Sequence, residues 1–381
     1  MNKIYLDYAA TTPIDEEIIE SYYKLLKANF GNSDSIHEEG TKAGTFLKKA
    51  RMQIANLLNC KENEVIFTSG STESNNTAIK GVAFAYQNRG KHIITTKIEH
   101  PSVADSCKQL EELFGFEVTY LDVKEDGKID LNELKNSLRK DTILVSIMAV
   151  NNEMGSIQDI EAISKIIKEN STALYHIDAT QAMCKEKLNY NLADLYNFSS
   201  HKFYGLKGSS VLVKKEKVRL VPLLSGGQQE NGVRGGTVNW ASHMMLAKSL
   251  RLGLEKMEEH YNYVKGLKTY LLEKLSLING LRVNSPEDST PYVLNIYFNN
   301  KRGEVIMNAL SNKGIYISTK SACSSRSKDY SASIYEVTKD TTISKNSLRI
   351  SLSHLTTKEE LDIFVKELKD IVDSLKGWVY E

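Results

Sequence analysis

An α/β fold is what this chain predicts: a mostly parallel sheet between helices, followed by a smaller α/β unit at the C-terminal end. Three observations predict it. Between about residues 60 and 215, short β-rich runs alternate with helical patterns, as in strands joined by crossover helices. From Trp240 to Leu277 the pattern is helical and proline-free, which suits one long connector. Beyond it, the strand-like run Val293–Phe298 and a capped terminal helix make the smaller unit.

The elements follow in order. Ahead of the sheet, Ala43, Phe46, Leu47, Ala50, Ile54 and Leu57 recur at helical spacing. Strands are predicted over residues 64–67, 92–95, 117–120, 143–148, 174–177, 195–198 and 210–213, runs that favour β-branched and aromatic residues. Ile160, Ile163, Ile166 and Ile167 give the apolar stripe of a helix between two of them. At the far end, Thr357 and Glu360 form a capping-box pattern before Leu361, Phe364, Val365 and Leu368. There is no internal repeat, low-complexity tract or proline-rich linker.

A chain of 381 residues is long enough for two domains. Its 49 basic and 48 acidic residues nearly cancel, which argues against a polyanion or an anionic membrane surface as partner. The first residues enter strand-like sequence with no signal-peptide apolar region, and no apolar run approaches the ~20 residues that span a bilayer. Cys60, Cys107, Cys184 and Cys323 show no CxxC pair and no metal-ligand spacing. A cytoplasmic location and individual thiols are the expectation.

The chemistry concentrates at strand ends. Asp178 closes one predicted strand and Lys202 follows the end of the next, so both would enter the crevice beyond the carboxyl edge of the sheet. Pyridoxal phosphate chemistry needs that pairing: an amine to hold the cofactor as a Schiff base, and a carboxylate to keep its ring nitrogen protonated. Taken singly, Asp178 as a helix cap and Lys202 as a solvated lysine are the plain alternatives. Residues 68–73, Thr-Ser-Gly-Ser-Thr-Glu, pass from a strand into a helix and suit a phosphate, with Ser200 and His201 offering further donors. The segment lacks GxGxxG and Walker patterns, which counts against dinucleotides and nucleoside triphosphates. His100, in Glu99-His100-Pro101, would stack on an aromatic cofactor and handle protons, or simply sit in a turn. Asn152, in Asn151-Asn152-Glu153, would bind a ring hydroxyl or a substrate carboxylate, or serve the turn. Cys323 has a small, polar setting between Lys320 and Arg326, as reactive thiols do. Arg349 alternates with apolar neighbours on a strand and would hold an anion bidentately, or pair across a domain interface. The segments Gly226–Glu230 and Arg234–Thr237 read from spacing as a surface loop.

Tyr5–Pro13, Thr68–Asn76, Glu99–Pro101, Asn151–Gly155, Asp178–Gln181, Ser200–Lys202, Arg234–Thr237 and Ser321–Cys323, in this order, closely resemble the NifS/IscS-like cysteine desulfurases. These are a class V branch of the fold-type I pyridoxal phosphate enzymes, and the resemblance runs along essentially the whole chain. It implies a large cofactor-binding domain over 14–250 and a small domain from 1–13 and 251–381. It implies Lys202 as the cofactor-bearing lysine, Asp178 at the ring nitrogen, Gln181 at the ring hydroxyl and His100 stacked on the ring. Ser71, Thr72, Ser200 and His201 would cradle the phosphate, with Thr237 reaching that of the neighbouring subunit in a homodimer. Asn152 and Arg349 would anchor the carboxylate of L-cysteine. Cys323 would take the sulfur as a persulfide and pass it to an acceptor protein, for iron–sulfur cluster assembly or tRNA thiolation. A selenocysteine lyase or aminotransferase of the same fold, or a non-catalytic binding subunit, are the rival readings. Tyr8, Ser71 and Lys320 stand where the family more often has Asn, Ala and Gly.

Overall fold

The computed structural model describes residues 3–319 and 330–375. Cys323, with Lys320 and Arg326, lies outside the described residues. The strands are β1 (Ile4–Tyr5), β2 (Val65–Thr68), β3 (His92–Thr96), β4 (Glu117–Leu121), β5 (Thr142–Met148), β6 (Leu174–Asp178), β7 (Leu195–Ser199), β8 (Ser210–Lys214), β9 (Leu281–Val283), β10 (Val293–Phe298), β11 (Ile315–Tyr316) and β12 (Ser347–Ser351). The helices are α1 (Glu16–Ala28), α2 (Glu38–Leu58), α3 (Ser71–Tyr86), α4 (Pro101–Phe114), α5 (Leu131–Ser137), α6 (Ile160–Asn170), α7 (Trp240–Glu255), α8 (Met257–Leu275), α9 (Gly303–Asn312), α10 (Ala332–Thr338), α11 (Thr341–Asn346) and α12 (Lys358–Ser374).

Seven strands form the large sheet in the order β2-β8-β7-β6-β5-β3-β4. Neighbours from β7 through β4 are parallel, and only β8 runs against the rest. The reason is length: residues 200–209 are too few for a crossover helix, so β8 returns antiparallel to β7. Both faces are covered, as a parallel sheet requires. On β5, Leu144 packs into the core under α3 and α4, while Val145 and Ile147 pack into the other, with α2, α6 and α7. The apolar stripes of α2 and α6 face that second core through Ala50, Ile54, Ile160, Ile163 and Ile167.

A separate core gathers Ile4 and Leu6 with apolar residues of α8, α9, β10, β12 and α12. Here β10 lies between β9 and β12, antiparallel to both, and β1 pairs with β11. The terminal helix opens with the expected capping box of Thr357 and Glu360. The single connector predicted from Trp240 to Leu277 is two helices that break at Lys256 (φ −102°, ψ 5°). Its two halves serve different cores: Leu246, Ala247 and Leu250 join the large sheet, whereas Val264, Leu267 and Leu271 join the small unit. One straight helix could not aim both stripes. No helix of the described residues is long and apolar enough to cross a membrane.

Candidate active site

The strands deliver their carboxyl ends to one edge of the large sheet, and a cleft of about 360 Å³ opens there. Its wall takes Ser69, Gly70, Ser71 and Thr72 from the turn after β2, and His100 from the turn after β3. Met148 ends β5 and Val150 and Asn152 follow it, Asp178 ends β6 with Thr180 and Gln181 just past it, and Ser199 ends β7 ahead of His201 and Lys202. Ala9–Thr11 of the N-terminal segment and Arg349 of β12 complete the lining. Asp178 and Lys202, 24 positions apart in sequence, therefore face one space because β6 and β7 are adjacent and parallel.

Asp178 is buried, and both its oxygens are held. Oδ1 accepts the Thr180 N–H at 2.9 Å, and Oδ2 accepts from Asn75 Nδ2 at 2.8 Å. Lys202 Nζ donates to the carbonyls of Ala9 (2.7 Å) and Ala10 (2.8 Å). Gln181 donates to the same Ala9 carbonyl at 2.9 Å, leaving its Oε1 buried without a partner.

His100 caps α4 through Nδ1, which accepts the Ser102 N–H at 3.1 Å. Burial, aided by the charge of Lys202, holds its pKa below the usual imidazole value. His201 hydrogen-bonds Thr11 Oγ1 at 3.1 Å. Burial and then the charge of Lys202 depress its pKa to about 3, so it is neutral at physiological pH. At the other end, Gly70 precedes α3, and a Cβ added to it would meet nothing within 4 Å. Thr180 donates to Ser71 Oγ at 2.8 Å, which leaves the Ser71 hydroxyl hydrogen for the cleft.

One of the expected cradle residues, Ser200, is placed elsewhere, whereas Thr237, expected at a neighbouring subunit, lies outside this cleft. Ser200 is fully buried behind the wall, where its hydroxyl donates to the carbonyls of Leu206 and Ser209. Thr237 is exposed and is not part of this chain's cleft wall. Arg349 is 1% exposed; its guanidinium donates to Asp7 Oδ1 at 2.7 Å and to the Asn152 carbonyl at 3.0 Å, and its Nε has no partner. The salt bridge and the cleft position thus coexist in one residue. Asn151 does turn work, accepting from the N–H groups of Glu153 and Met154. Sequence reasoning missed Asp7, Asn75, Ser102 and Thr180. Only Asn75 carried a local signal, since it lies one helical turn after Ser71.

Residues 4–364 match the model of the aminotransferase class-V family. The chain belongs to that family. It is 41% identical over 378 residues to the cysteine desulfurase IscS of Dictyoglomus turgidum, covering 98% of this chain and 95% of that one. A solved NifS-like protein superposes with a TM-score of 0.92 at 35% identity, covering 98% of this chain and all of the other. SspA, solved in complex with cysteine, gives 0.81 at 32% identity, with 93% and 100% covered.

The cofactor of these class-V enzymes is pyridoxal phosphate. The cleft residues fit it. A held carboxylate suits the ring nitrogen, the unpartnered Gln181 Oε1 suits a hydroxyl donor, and the unobstructed start of α3 suits a phosphate.

Glu99, beside the class-V site, was not singled out by the sequence. It is buried; Oε1 accepts from Thr96 Oγ1 (2.9 Å) and the Met148 N–H (3.0 Å), and Oε2 has no partner. Burial, outweighing both hydrogen bonds, pushes its carboxyl from 4.5 up to about 8. The proton-bound form then stabilises the fold fully below the ordinary carboxylate range, and this contribution is lost as pH rises towards 8. Relative to Glu99→Gln, which has no proton to lose, the parent should lose about 3 kcal/mol of unfolding free energy between about pH 5 and 8. Urea unfolding across that range checks this, and parallel pH profiles would contradict it.

Proposed function

We propose that this chain is a pyridoxal phosphate-dependent cysteine desulfurase that converts L-cysteine to L-alanine and collects the sulfur on Cys323. The observation that carries this reading is the cleft that Asp178, Lys202 and Arg349 line together. When bound, the cofactor supplies an electron sink that acidifies the α-proton of an attached amino acid.

The chain's own residues do the rest. Arg349 and the Asn152 side chain bind the substrate carboxylate and orient the amino acid. Asp178 would hold the ring nitrogen by its negative charge, His100 would cover the ring, and Gln181 would receive the ring hydroxyl. Ser71 and Thr72, with His201, hold the phosphate. Lys202 Nζ takes the α-proton and returns a proton to the substrate carbon. The Cys323 thiolate attacks the substrate sulfur: an S–S bond forms, and the Cβ–S bond breaks with its electron pair left on the substrate. Protonation there yields alanine, so the oxidation of sulfur to persulfide is balanced by reduction of Cβ to a methyl group.

The protein works as a homodimer in the cytoplasm, with Thr237 turned towards the partner's phosphate. Its exposed position supports that role, and so does apolar surface along α1 and the following loop, where Phe30 is 89% and Ile36 99% exposed. The persulfide goes to an iron–sulfur scaffold or a tRNA-thiolation sulfurtransferase.

Cys323→Ala tests the sulfur-accepting role. It should keep the cofactor absorbance yet lower alanine and sulfide production from L-cysteine by roughly a hundredfold or more. Unchanged sulfur release would reject Cys323 and favour a lyase. A parent protein that binds no cofactor would favour a non-catalytic subunit.

A further inference from the structure

We propose that Asn75 and Ser102 are positioning residues that lock His100 in the tautomer with its proton on Nε2, and tie that tautomer to an ionised Asp178. The proposal rests on the reading of Asp178 and His100 as the groups that meet the cofactor ring. Its basis is a chain of four hydrogen bonds whose directions are forced one after another.

An ionised carboxylate only accepts, so the Asn75 atom 2.8 Å from Asp178 Oδ2 must be the amide nitrogen. The orientation of that amide is then set. Its second N–H reaches Ser102 Oγ, also at 2.8 Å. The Ser102 hydroxyl could still accept or donate; it lies 2.8 Å from His100 Nδ1, and the next bond decides that it donates. The same ring nitrogen receives the Ser102 backbone N–H. Two donors on Nδ1 leave no room for a proton, which must therefore sit on Nε2.

The relay is dry: Asn75 is fully buried and Ser102 is 8% exposed. It is also one-way. Were Asp178 to take up a proton, Asn75 could turn its unpartnered Oδ1 towards it, and Ser102 would lose the donor that directs its hydroxyl. The charged groups facing His100 are Asp178 and Asp105, which favour its protonation, and Lys202, which opposes it along with burial. A neutral ring with one defined N–H can lie over an aromatic cofactor and exchange a proton at a single atom.

Histidine-labelled full-length protein, with and without pyridoxal phosphate, allows the ring nitrogens to be followed by nitrogen-15 NMR. In the parent, His100 should show a protonated Nε2 and an acceptor Nδ1 at neutral pH. Ser102→Ala, which keeps the backbone N–H but removes the hydroxyl donor, should weaken the preference for the Nε2 tautomer and raise the His100 pKa, and Ser102→Thr should restore both. Asn75→Ala should act in the same direction. In each variant the acidic limb of the kcat profile should move with the ring pKa, while KM for L-cysteine stays within about twofold. Ring-nitrogen signals in Ser102→Ala that match the parent would overturn the proposal, as would a parent tautomer protonated at Nδ1. If Asn75→Ala does not fold, the Ser102 pair decides alone. A parent that releases no sulfur from L-cysteine would sink the functional reading, and the NMR result would still stand for or against the relay.

Discussion

Lys202→Ala is expected to abolish alanine formation from L-cysteine, a fall of at least about a thousandfold in kcat. The expectation follows from the double role proposed for one atom. Nζ is the attachment point for the cofactor, and after the substrate takes that place it carries the proton to and from the α-carbon. No neighbouring group can do both. Lys207 also lines the cleft, and Lys185 lies in the adjoining small cavity whose wall Lys202 shares. Burial pushes Lys185 down to about 8, so it is the more capable amine of the two. Its ammonium, however, stands over the Tyr292 ring at 5.7 Å on that other side. The fold should survive the change. The groups that lose a donor include the carbonyls of Ala9 and Ala10, which line the cleft where water can replace Nζ. The measurement is turnover together with a thermal melt: lost turnover with an unchanged melt supports the role. Retained turnover would mean that another amine holds the cofactor.

Glu230→Ala should cost about 3–5 kcal/mol of stability. Glu230 lies in the Gly226–Glu230 segment that spacing assigns to a surface loop, yet it is 5% exposed. Its oxygens receive both terminal nitrogens of Arg51, at 2.7 and 2.8 Å, and the Phe67 N–H at 2.8 Å. The Arg51 guanidinium in turn lies 4.8 Å over the Phe67 ring and donates to the Val65 carbonyl. Removing the carboxylate strands a largely buried guanidinium and orphans a strand N–H, and desolvation makes both costly. Replacing the pair together, as Arg51→Met with Glu230→Leu, should cost less than Glu230→Ala alone, because no charge is left behind. Urea unfolding of the three proteins checks the order. Because β2 leads directly into the turn that starts α3, Glu230→Ala should also weaken retention of pyridoxal phosphate, read by dialysis and absorbance. A loss below about 1 kcal/mol would mean that water reaches Arg51 and the pair counts as a surface one.

Much of this protein is legible without coordinates. The seven strands of the large sheet were marked by local β-rich runs to within a residue or two. The same runs showed where Asp178 and Lys202 fall, since each stands at or just past the end of its strand. Helix α12 announced itself through Thr357 and Glu360, which lie within one turn of each other. These signals share a physical basis: periodicity and capping involve neighbours in sequence, so the pattern is printed where the interaction occurs.

What only the tertiary structure decided involves partners far apart in the chain. Asp7 meets Arg349 across 342 positions, Arg51 meets Glu230 across 179, and Asn75 meets Asp178 across 103. A buried ion pair or amide relay leaves no periodic trace, because each member looks like an ordinary polar residue until the fold removes the water around it. The reversal of β8 and the break at Lys256 are of the same kind. Each answers to which surface must be covered, and that is set by the packing of sheet and helices rather than by the residues on either side.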